Sequence, residues 1–133
     1  MGRGVGFYTY RAILRGTMDE AAYRQAIKGR DRRHMRYSHG AALYNGDHVI
    51  SVAHNRPLRH GKFSIHAEDA VVRKIPKHIN RRKLVIVVIR VNNFGRLRNS
   101  KPCEECQYYL RRAGIRRVLY SGDDEQMHEL VIR

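Results

Sequence analysis

The stretch from Leu84 to Val91 constrains the fold of this chain more than any other. It is continuously apolar and rich in β-branched residues, apart from Arg90. A half-buried strand alternates apolar and polar side chains, whereas an unbroken apolar run of this length is typical of a strand covered on both faces. The stretch therefore predicts the central strand of a sheet that has helices packed on both sides, which is an α/β architecture.

Three segments with helical patterns are available to cover that sheet. The first begins at a capping box formed by Thr17 and Glu20, carries an apolar face and ends at Gly29. The second ends before Pro76, which cannot continue a helix, and the third is closed by Gly114. The predicted helices are 17–29, 66–74 and 104–113.

Shorter apolar segments predict the remaining strands. Asn45-Gly46 separates two of them, and this dipeptide best accommodates the positive φ angles of a type I′ hairpin turn. The last two segments are joined by a connection too short for a parallel crossover, so they should form an antiparallel hairpin. The predicted strands are 40–44, 48–53, 84–91, 115–121 and 127–132, with a basic connection at 30–36, a long loop at 92–101 and an arm or short strand at 1–16.

These elements predict a three-layer α/β domain with a mixed sheet of about five strands and helices on both faces. The chain has 133 residues, which suits one domain, and we assign 17–133 to it. The longest apolar run is far shorter than the ~20 residues that a membrane span needs, and no secretory apolar region follows the start. We therefore expect an intracellular protein of the cytoplasm or nucleus, neither secreted nor transmembrane.

Charge narrows the choice of partners. Lys and Arg total 27 against 12 Asp and Glu, which gives a net charge of +15. In a folded domain, such an excess of positive charge favours a polyanionic partner such as nucleic acid.

The chemical signal lies in two short motifs. Both cysteines of the chain, Cys103 and Cys106, fall in one Pro-Cys-x-x-Cys motif, and His66 and Glu68 form a His-Ala-Glu motif at the start of the second helix. One imidazole and two thiolates suit Zn²⁺ and leave its fourth tetrahedral position to water, which is the pattern of a catalytic site. Glu68 is placed to face that water without binding the metal.

These motifs, preceded by a hairpin that ends at Asn55, resemble those of the cytidine and deoxycytidylate deaminase superfamily of zinc hydrolases. The resemblance implies that His66, Cys103 and Cys106 bind zinc. It also implies that Glu68 takes a proton from water and passes protons to the ring nitrogen and to the amine that leaves as ammonia.

The same resemblance implies how a substrate is held. Asn55 matches the position that contacts the sugar, and the Ala67 N–H and the Lys101 carbonyl border the base. On this interpretation 17–133 is the catalytic domain and the protein is a homo-oligomer.

Basic residues occupy the loops that this element order brings to the mouth of the predicted pocket. A neutral nucleoside needs none of them, whereas a phosphate-bearing substrate does. Because the third helix and its exit are equally basic, a uniformly cationic surface is the alternative explanation. Tyr108 and Tyr109 on that helix are interpreted as core or interface residues. The predicted phosphate rim consists of Arg32, Arg33, Arg36, Arg56, Arg59, Lys62, Arg96 and Arg98.

We therefore predict a cytosine deaminase that acts on a phosphate-bearing substrate, with single-stranded nucleic acid favoured. A free cytidine or dCMP deaminase is one alternative, and the predicted final hairpin groups the chain with the branch that resembles free-nucleoside deaminases. A tRNA adenosine deaminase is another, although the further C-terminal helix expected by resemblance to that branch is not found in the sequence. The third alternative is a non-catalytic, zinc-stabilised nucleic-acid-binding protein, which gives no role to the carboxylate of Glu68.

Overall fold

The computed structural model describes residues 19–33, 37–46, 48–54, 56–57, 64–65 and 71–133. The predicted arm and the predicted starts of the first and second helices lie outside these residues. Val71 and Val72 are helical, and Arg81–Lys83 forms a 3₁₀ turn. The other elements in chain order are α1 (Asp19–Arg33), β1 (Tyr37–Asn45), β2 (His48–His54), β3 (Arg56–Pro57), β4 (Ser64–Ile65), β5 (Leu84–Asn92), β6 (Leu97–Arg98), α2 (Glu104–Arg112), β7 (Arg117–Ser121) and β8 (Met127–Val131).

The main sheet is mixed and has β5 at its centre, as the sequence predicts. Its strands follow the order β2-β1-β5-β7-β8, and β6 also pairs with β5. β5 is parallel to β7 but antiparallel to β1 and β6. β8 returns antiparallel to β7, which confirms the predicted final hairpin. β3 and β4 form a separate pair.

Helices cover both faces of this sheet. The even-numbered apolar residues of β5 pack in one buried cluster with Leu110 of α2, and the odd-numbered ones pack in a second cluster with Ala22 and Ala26 of α1. The prediction of a central strand buried on both faces is therefore confirmed. Among the described residues, no helix combines the length and the apolar character that a membrane span requires.

Gly40 marks the place where α1 crosses β1. A Cβ at this position would overlap the backbone of Ala22 and Ala26. Only glycine therefore lets the helix and the strand pack this closely. The close approach fixes the position of α1 over the sheet.

The predicted end of the first helix at Gly29 is wrong. α1 includes Gly29 and continues to Arg33, so the predicted irregular connection at 30–36 is helical over its first part. A glycine inside a helix costs only about 1 kcal/mol relative to alanine. The packing of the preceding turns of α1 on the sheet outweighs that cost.

The prediction of a continuous loop at 92–101 is wrong, because this segment contains a short strand. β6 lies in its middle and pairs with the end of β5. The Asn92 side chain organises the turn between them, because its Oδ1 accepts hydrogen bonds from the N–H groups of Phe94 and Arg96 at 2.9 and 3.0 Å. A strand as short as β6 carries no periodic pattern by which it could be predicted.

Two turns form where the sequence predicts them. Gly46 has a φ of 65° in the turn between β1 and β2, whose antiparallel pairing confirms the first hairpin. Gly114 has a φ of 87° after α2. Its N–H donates to the Arg111 carbonyl at 3.0 Å and the Ile115 N–H donates to the Leu110 carbonyl at 2.9 Å, which together form a Schellman motif.

Candidate functional site

Four strand ends meet along one edge of the sheet. Tyr37 at the start of β1 pairs with Asn92 at the end of β5. β7 is parallel to β5 and ends at Ser121, and β2 ends at His54 on the same side of the sheet. In open α/β sheets, ligands bind outside the carboxyl ends of the strands. This carboxyl edge is therefore where a site is expected.

The two cysteines lie at the start of α2. Cys103 occupies the N-cap position, with an extended backbone at φ −67° and ψ 169°, and is exposed. Cys106 lies in the first turn and is only 2% exposed. Residues three positions apart lie on one side of a helix. The pair suits two of the ligands of a zinc ion.

The remaining members of the predicted constellation lie outside the described residues. Within the described part of the chain, no three or more His, Cys, Asp and Glu side chains are grouped to hold a metal ion. The zinc ligand His66 and the proton carrier Glu68 stay predictions, as do the substrate contacts of Asn55 and Ala67.

Two buried serines tie the loop before the cysteines to the sheet. Ser100 is 3% exposed and Ser121 is 0% exposed, and their hydroxyl oxygens lie 2.9 Å apart. The Ser100 hydroxyl donates to the Val88 carbonyl of β5 at 2.8 Å, and the Ser121 hydroxyl donates to the Arg98 carbonyl of β6 at 2.7 Å. The Ser121 Oγ also accepts a hydrogen bond from the Arg90 N–H at 3.1 Å. The serine pair therefore joins β5, β6 and β7 to the loop that leads into α2.

No pattern in the sequence points to these serines, because a small hydroxyl residue beside a strand end has no periodic signal. Ser100 lies two residues before Pro102, the first residue of the cysteine motif. This closeness to the motif is the one feature of the sequence that could have identified Ser100 as part of the site.

We expect Ser121→Ala to lower the free energy of unfolding by about 1–3 kcal/mol, because it removes a buried hydroxyl group that accepts a hydrogen bond from the Arg90 N–H and donates one to the Arg98 carbonyl. It should also weaken zinc retention, since the segment before Cys103 loses the hydrogen bond from the Ser121 hydroxyl to the Arg98 carbonyl, although the backbone hydrogen bond from the Ser100 N–H to the Ser121 carbonyl remains. Chemical denaturation and titration with a competing chelator measure the two effects. Val118→Ala on the same strand should cost comparable stability without changing zinc affinity. Equal zinc affinity in the two variants would mean that the serine supports only the fold.

The loop between β6 and α2 is held from a second side. The Lys101 N–H donates to Asn99 Oδ1 at 3.0 Å, and the Asn99 N–H donates to Asp123 Oδ1 at 2.9 Å. Lys101 itself is exposed. The contact of its carbonyl with a base stays a prediction.

A titratable pair flanks this loop, with Asp124 in the turn between β7 and β8 and His128 on β8. His128 Nε2 lies 3.0 Å from both carboxylate oxygens of Asp124, and this hydrogen bond lowers the pKa of the Asp124 carboxyl group. The imidazole stacks on Tyr120 with ring centroids 5.5 Å apart. A Cβ at Gly122 would collide with both members of the pair, so the glycine makes room for them beside the carboxyl edge.

The described members of the predicted rim lie near the carboxyl edge. Arg96 is exposed in the turn after β5, and Arg98 pairs with Arg90 across β6 and β5.

Arg33 ends α1 shortly before β1, and Arg56 follows β2. Arg32 precedes the helix end, whereas Arg36, Arg59 and Lys62 lie outside the described residues. The binding of phosphate by this set stays a prediction.

Solved structures share this fold. A cytidine deaminase from Burkholderia pseudomallei matches with a TM-score of 0.61 and 16% identity, over 85% of this chain and 91% of that chain. A dCMP deaminase from the cyanophage S-TIM5 in apo form matches with a TM-score of 0.53 and 17% identity, over 78% and 82%. A structure from studies of A-to-I editing by tRNA:A34 deaminases at the wobble position of transfer RNA matches with a TM-score of 0.60 and 24% identity, over 82% and 77%.

The sequence itself gives a more specific assignment than these likenesses, which at such identities show the fold alone. No curated protein matches the chain. The family model for the cytidine and deoxycytidylate deaminase zinc-binding region matches residues 17–122. Because this match covers most of the chain and includes the Pro-Cys-x-x-Cys motif, the chain belongs to the cytidine and deoxycytidylate deaminase family, whose zinc-binding region identifies Zn²⁺ as its cofactor.

Proposed function

We propose that the chain is a hydrolytic deaminase that converts cytosine to uracil in a phosphate-bearing substrate, with single-stranded nucleic acid favoured. The Cys103–Cys106 pair at the start of α2 carries the proposal, because it provides two sulfur ligands beside the carboxyl edge in a member of the deaminase family. His66 is the third zinc ligand in this proposal. Residues 17–133 form the catalytic domain, and 1–16 form an arm or short strand.

Zinc, when bound, lowers the pKa of water and so supplies a nucleophile near neutral pH. In our proposal, Glu68 takes a proton from that water and delivers it to the ring nitrogen, which makes the adjacent C4 atom electrophilic. The water oxygen forms a bond to C4, and the bond from C4 to the exocyclic nitrogen breaks. Glu68 carries a second proton, taken from the oxygen now bonded to C4, to the exocyclic nitrogen, which leaves as ammonia while the C4–oxygen bond becomes a carbonyl.

Substrate positioning is assigned to three further residues. Asn55 contacts the sugar, and the Ala67 N–H and the Lys101 carbonyl hold the edge of the base. These groups fix the ring so that its C4 atom faces the zinc ligands, which is the orientation that the reaction needs.

Positive charge supports a phosphate-bearing substrate. The net charge is +15, and Arg96 and Arg98 lie in the β5–β6 segment that leads to the cysteines. A nucleic-acid backbone binds such groups with strong salt dependence. A free cytidine or dCMP substrate is the second candidate, and the antiparallel β7–β8 hairpin supports free cytidine through the resemblance to free-nucleoside deaminases.

A substrate panel tests the proposed reaction. Ammonia release is measured with the zinc-loaded chain on matched cytidine, deoxycytidine, CMP, dCMP, single strands and duplexes. We expect the highest kcat/KM on cytosine in single strands. Preference for a free nucleotide would support the second candidate, and turnover of adenosine in tRNA would replace cytosine as the target base. Zinc binding with no turnover on any member would leave the non-catalytic, nucleic-acid-binding alternative.

The rim has its own test. Arg96→Ala/Arg98→Ala should weaken binding to single-stranded oligonucleotides of every sequence and reduce the salt slope by about one unit per lost phosphate contact. The matched control is Arg82→Ala/Lys83→Ala, which removes the same charge at the amino end of β5, the opposite edge of the sheet. Affinities measured at several salt concentrations compare the two variants. Equal losses would show that the charge acts diffusely over the surface.

We further propose that the enzyme is a homo-oligomer and that it acts inside the cell, in the cytoplasm or nucleus. The reducing conditions there keep thiols such as Cys103 and Cys106 available to a metal.

A further inference from the structure

The turn between β5 and β6 carries a large aromatic side chain that is open to solvent. Phe94 is 80% exposed, whereas the other exposed large apolar side chains of the described residues are at most 50% exposed. Single exposed apolar residues are common on protein surfaces, but this one lies beyond the end of β5, at the carboxyl edge. Because ligands bind outside that edge in open α/β sheets, the ring is accessible where a ligand is expected.

Other groups of the turn form it without help from the phenylalanine ring. The Gly95 N–H donates to the Asn92 carbonyl at 3.0 Å, and the Asn92 N–H donates to the Arg96 carbonyl at 3.1 Å. These two hydrogen bonds close a three-residue hairpin loop. Turns favour Gly, Pro, Asn, Asp and Ser, whose backbone preferences or side chains support the turn itself. The side chain of Phe94 therefore serves neither the turn nor the two core clusters.

A contact with α1 fixes the turn that presents this ring. The Tyr23 hydroxyl donates to the Gly95 carbonyl at 2.8 Å, and the close packing at Gly40 holds α1 itself on the sheet. On the other side of the turn, the Asn92 side chain accepts the N–H of Phe94. A ligand that stacks on the ring therefore need not order the loop first, which lowers the entropic cost of binding.

Positive charge lies next to the ring. Arg96 is exposed and Arg98 is half-buried, and the segment 92–98 that contains both has no acidic residue. Proteins bind single-stranded nucleic acid with this combination of groups, because bases stack on aromatic rings while phosphates contact cationic side chains. The turn offers both kinds of contact within a few residues.

A protein partner fits this surface less well. A stable protein interface buries about 800 Å² on each partner and has an apolar centre. The next apolar residue of the turn, Leu97, is half-buried and packs against the core cluster of α1 and β5. The turn therefore offers one ring, which is too little for a protein interface but matches the flat face of a single base.

We propose that Phe94 is a stacking platform for one unpaired base of a single-stranded nucleic acid, with Arg96 and Arg98 on the adjoining phosphates. In a duplex each base is already stacked between its neighbours, so the platform selects single strands. It tolerates any sequence, because every base has a face that can stack. This inference rests on the proposed single-stranded substrate and names a contact that recognises it.

The platform lies away from the cysteines, so it holds a neighbour of the reacting base. Ser100, which precedes the cysteines, is attached to β5 at the Val88 carbonyl. β5 continues from Val88 to Asn92 before the turn begins. Because a strand rises about 3.3 Å per residue, the turn begins about 13 Å farther along the sheet than this attachment. The base on the ring therefore precedes or follows the target in the strand.

Affinities for two short single strands of equal length test the platform without requiring turnover. One strand is a thymidine homopolymer, and the other has the same sugars and phosphates but no bases. With zinc-loaded protein, Phe94→Ala should weaken binding to the thymidine strand about 5- to 150-fold, which corresponds to the loss of one stacked base. It should not change binding to the base-free strand. Its salt slope should equal that of the wild type, because stacking releases no counterions.

Conservative variants separate stacking from a merely apolar contact. Phe94→Trp should bind the thymidine strand as tightly as the wild type, whereas Phe94→Leu should bind as weakly as Phe94→Ala, because leucine has no ring. Val49→Ala is the matched control. Val49 is 47% exposed near the start of β2, at the opposite edge of the sheet, so its removal should not affect either strand. Zinc content and circular dichroism check that each variant is folded.

Three outcomes would overturn the platform. One is an equal loss on the two strands in Phe94→Ala, because the ring would then act on the turn or on the phosphates. Another is wild-type affinity in Phe94→Leu, and the third is a wild type that binds neither strand. An unchanged affinity in Phe94→Ala, with tight binding by the wild type, would reject the platform and leave the proposed reaction intact. Conversely, absence of cytosine turnover with the expected binding pattern would reject the reaction and support the platform.

Discussion

Glu68→Gln is expected to lower kcat by about a thousandfold while leaving zinc content and unfolding free energy unchanged. The substitution keeps the size of the side chain but removes the group that takes and delivers protons, and such groups contribute about 10²–10⁴ in rate. Substrate affinity should change much less than turnover, because the loss affects the transition state more than binding. Steady-state kinetics with metal analysis of the same sample measures both quantities.

Glu129→Gln is the matched control for this variant. Glu129 lies on β8 and forms a salt bridge with Arg117 at 3.0 Å, so the same chemical change there removes only a surface contact. It should leave turnover unchanged. Wild-type turnover by Glu68→Gln would exclude the proposed proton carrier.

Cys103→Ala is expected to abolish zinc retention and activity and to lower the melting temperature by about 10 °C. Cys103 is exposed at the N-cap of α2, so its side chain contributes little to packing. The loss of stability in this variant therefore measures how much the bound zinc ion stabilises the fold. The same change at Cys106 would also open a cavity, because Cys106 is buried.

Chelation separates the stabilisation that comes from bound zinc from the stabilisation that comes from side-chain packing. Removal of zinc from the wild type should lower its melting temperature to that of Cys103→Ala, and the chelator should not affect the variant further. Full zinc retention in Cys103→Ala/Cys106→Ala, measured by metal analysis, would exclude the cysteines as ligands.

Local patterns predicted much of the fold. The apolar run of β5 predicted a strand buried on both faces, and both clusters that pack against it confirm this. Asn45-Gly46 predicted the first hairpin and Gly114 predicted the end of α2, because each position demands a backbone conformation that few residues adopt. The parallel pairing of β5 and β7 follows from the helix between them.

Features that depend on tertiary contacts were not predicted. α1 continues through Gly29 because its earlier turns are held against β1. β6 exists because the Asn92 side chain organises a turn. The motif spacing singled out Cys103 and Cys106 as candidate zinc ligands, but no pattern pointed to the Ser100–Ser121 pair that fixes the preceding loop, because that pair joins residues distant in sequence.

The central claim is that this chain replaces the exocyclic amine of cytosine with an oxygen from water. Mass spectrometry of the product, after incubation of a cytosine-containing single strand in isotopically labelled water, tests it most directly. We expect cytosine to become uracil, with one solvent oxygen at C4 and one ammonia released per turnover, and Glu68→Gln to form almost none. Unchanged cytosine after incubation with zinc-loaded protein, on this strand and on free cytidine and dCMP alike, would contradict the claim.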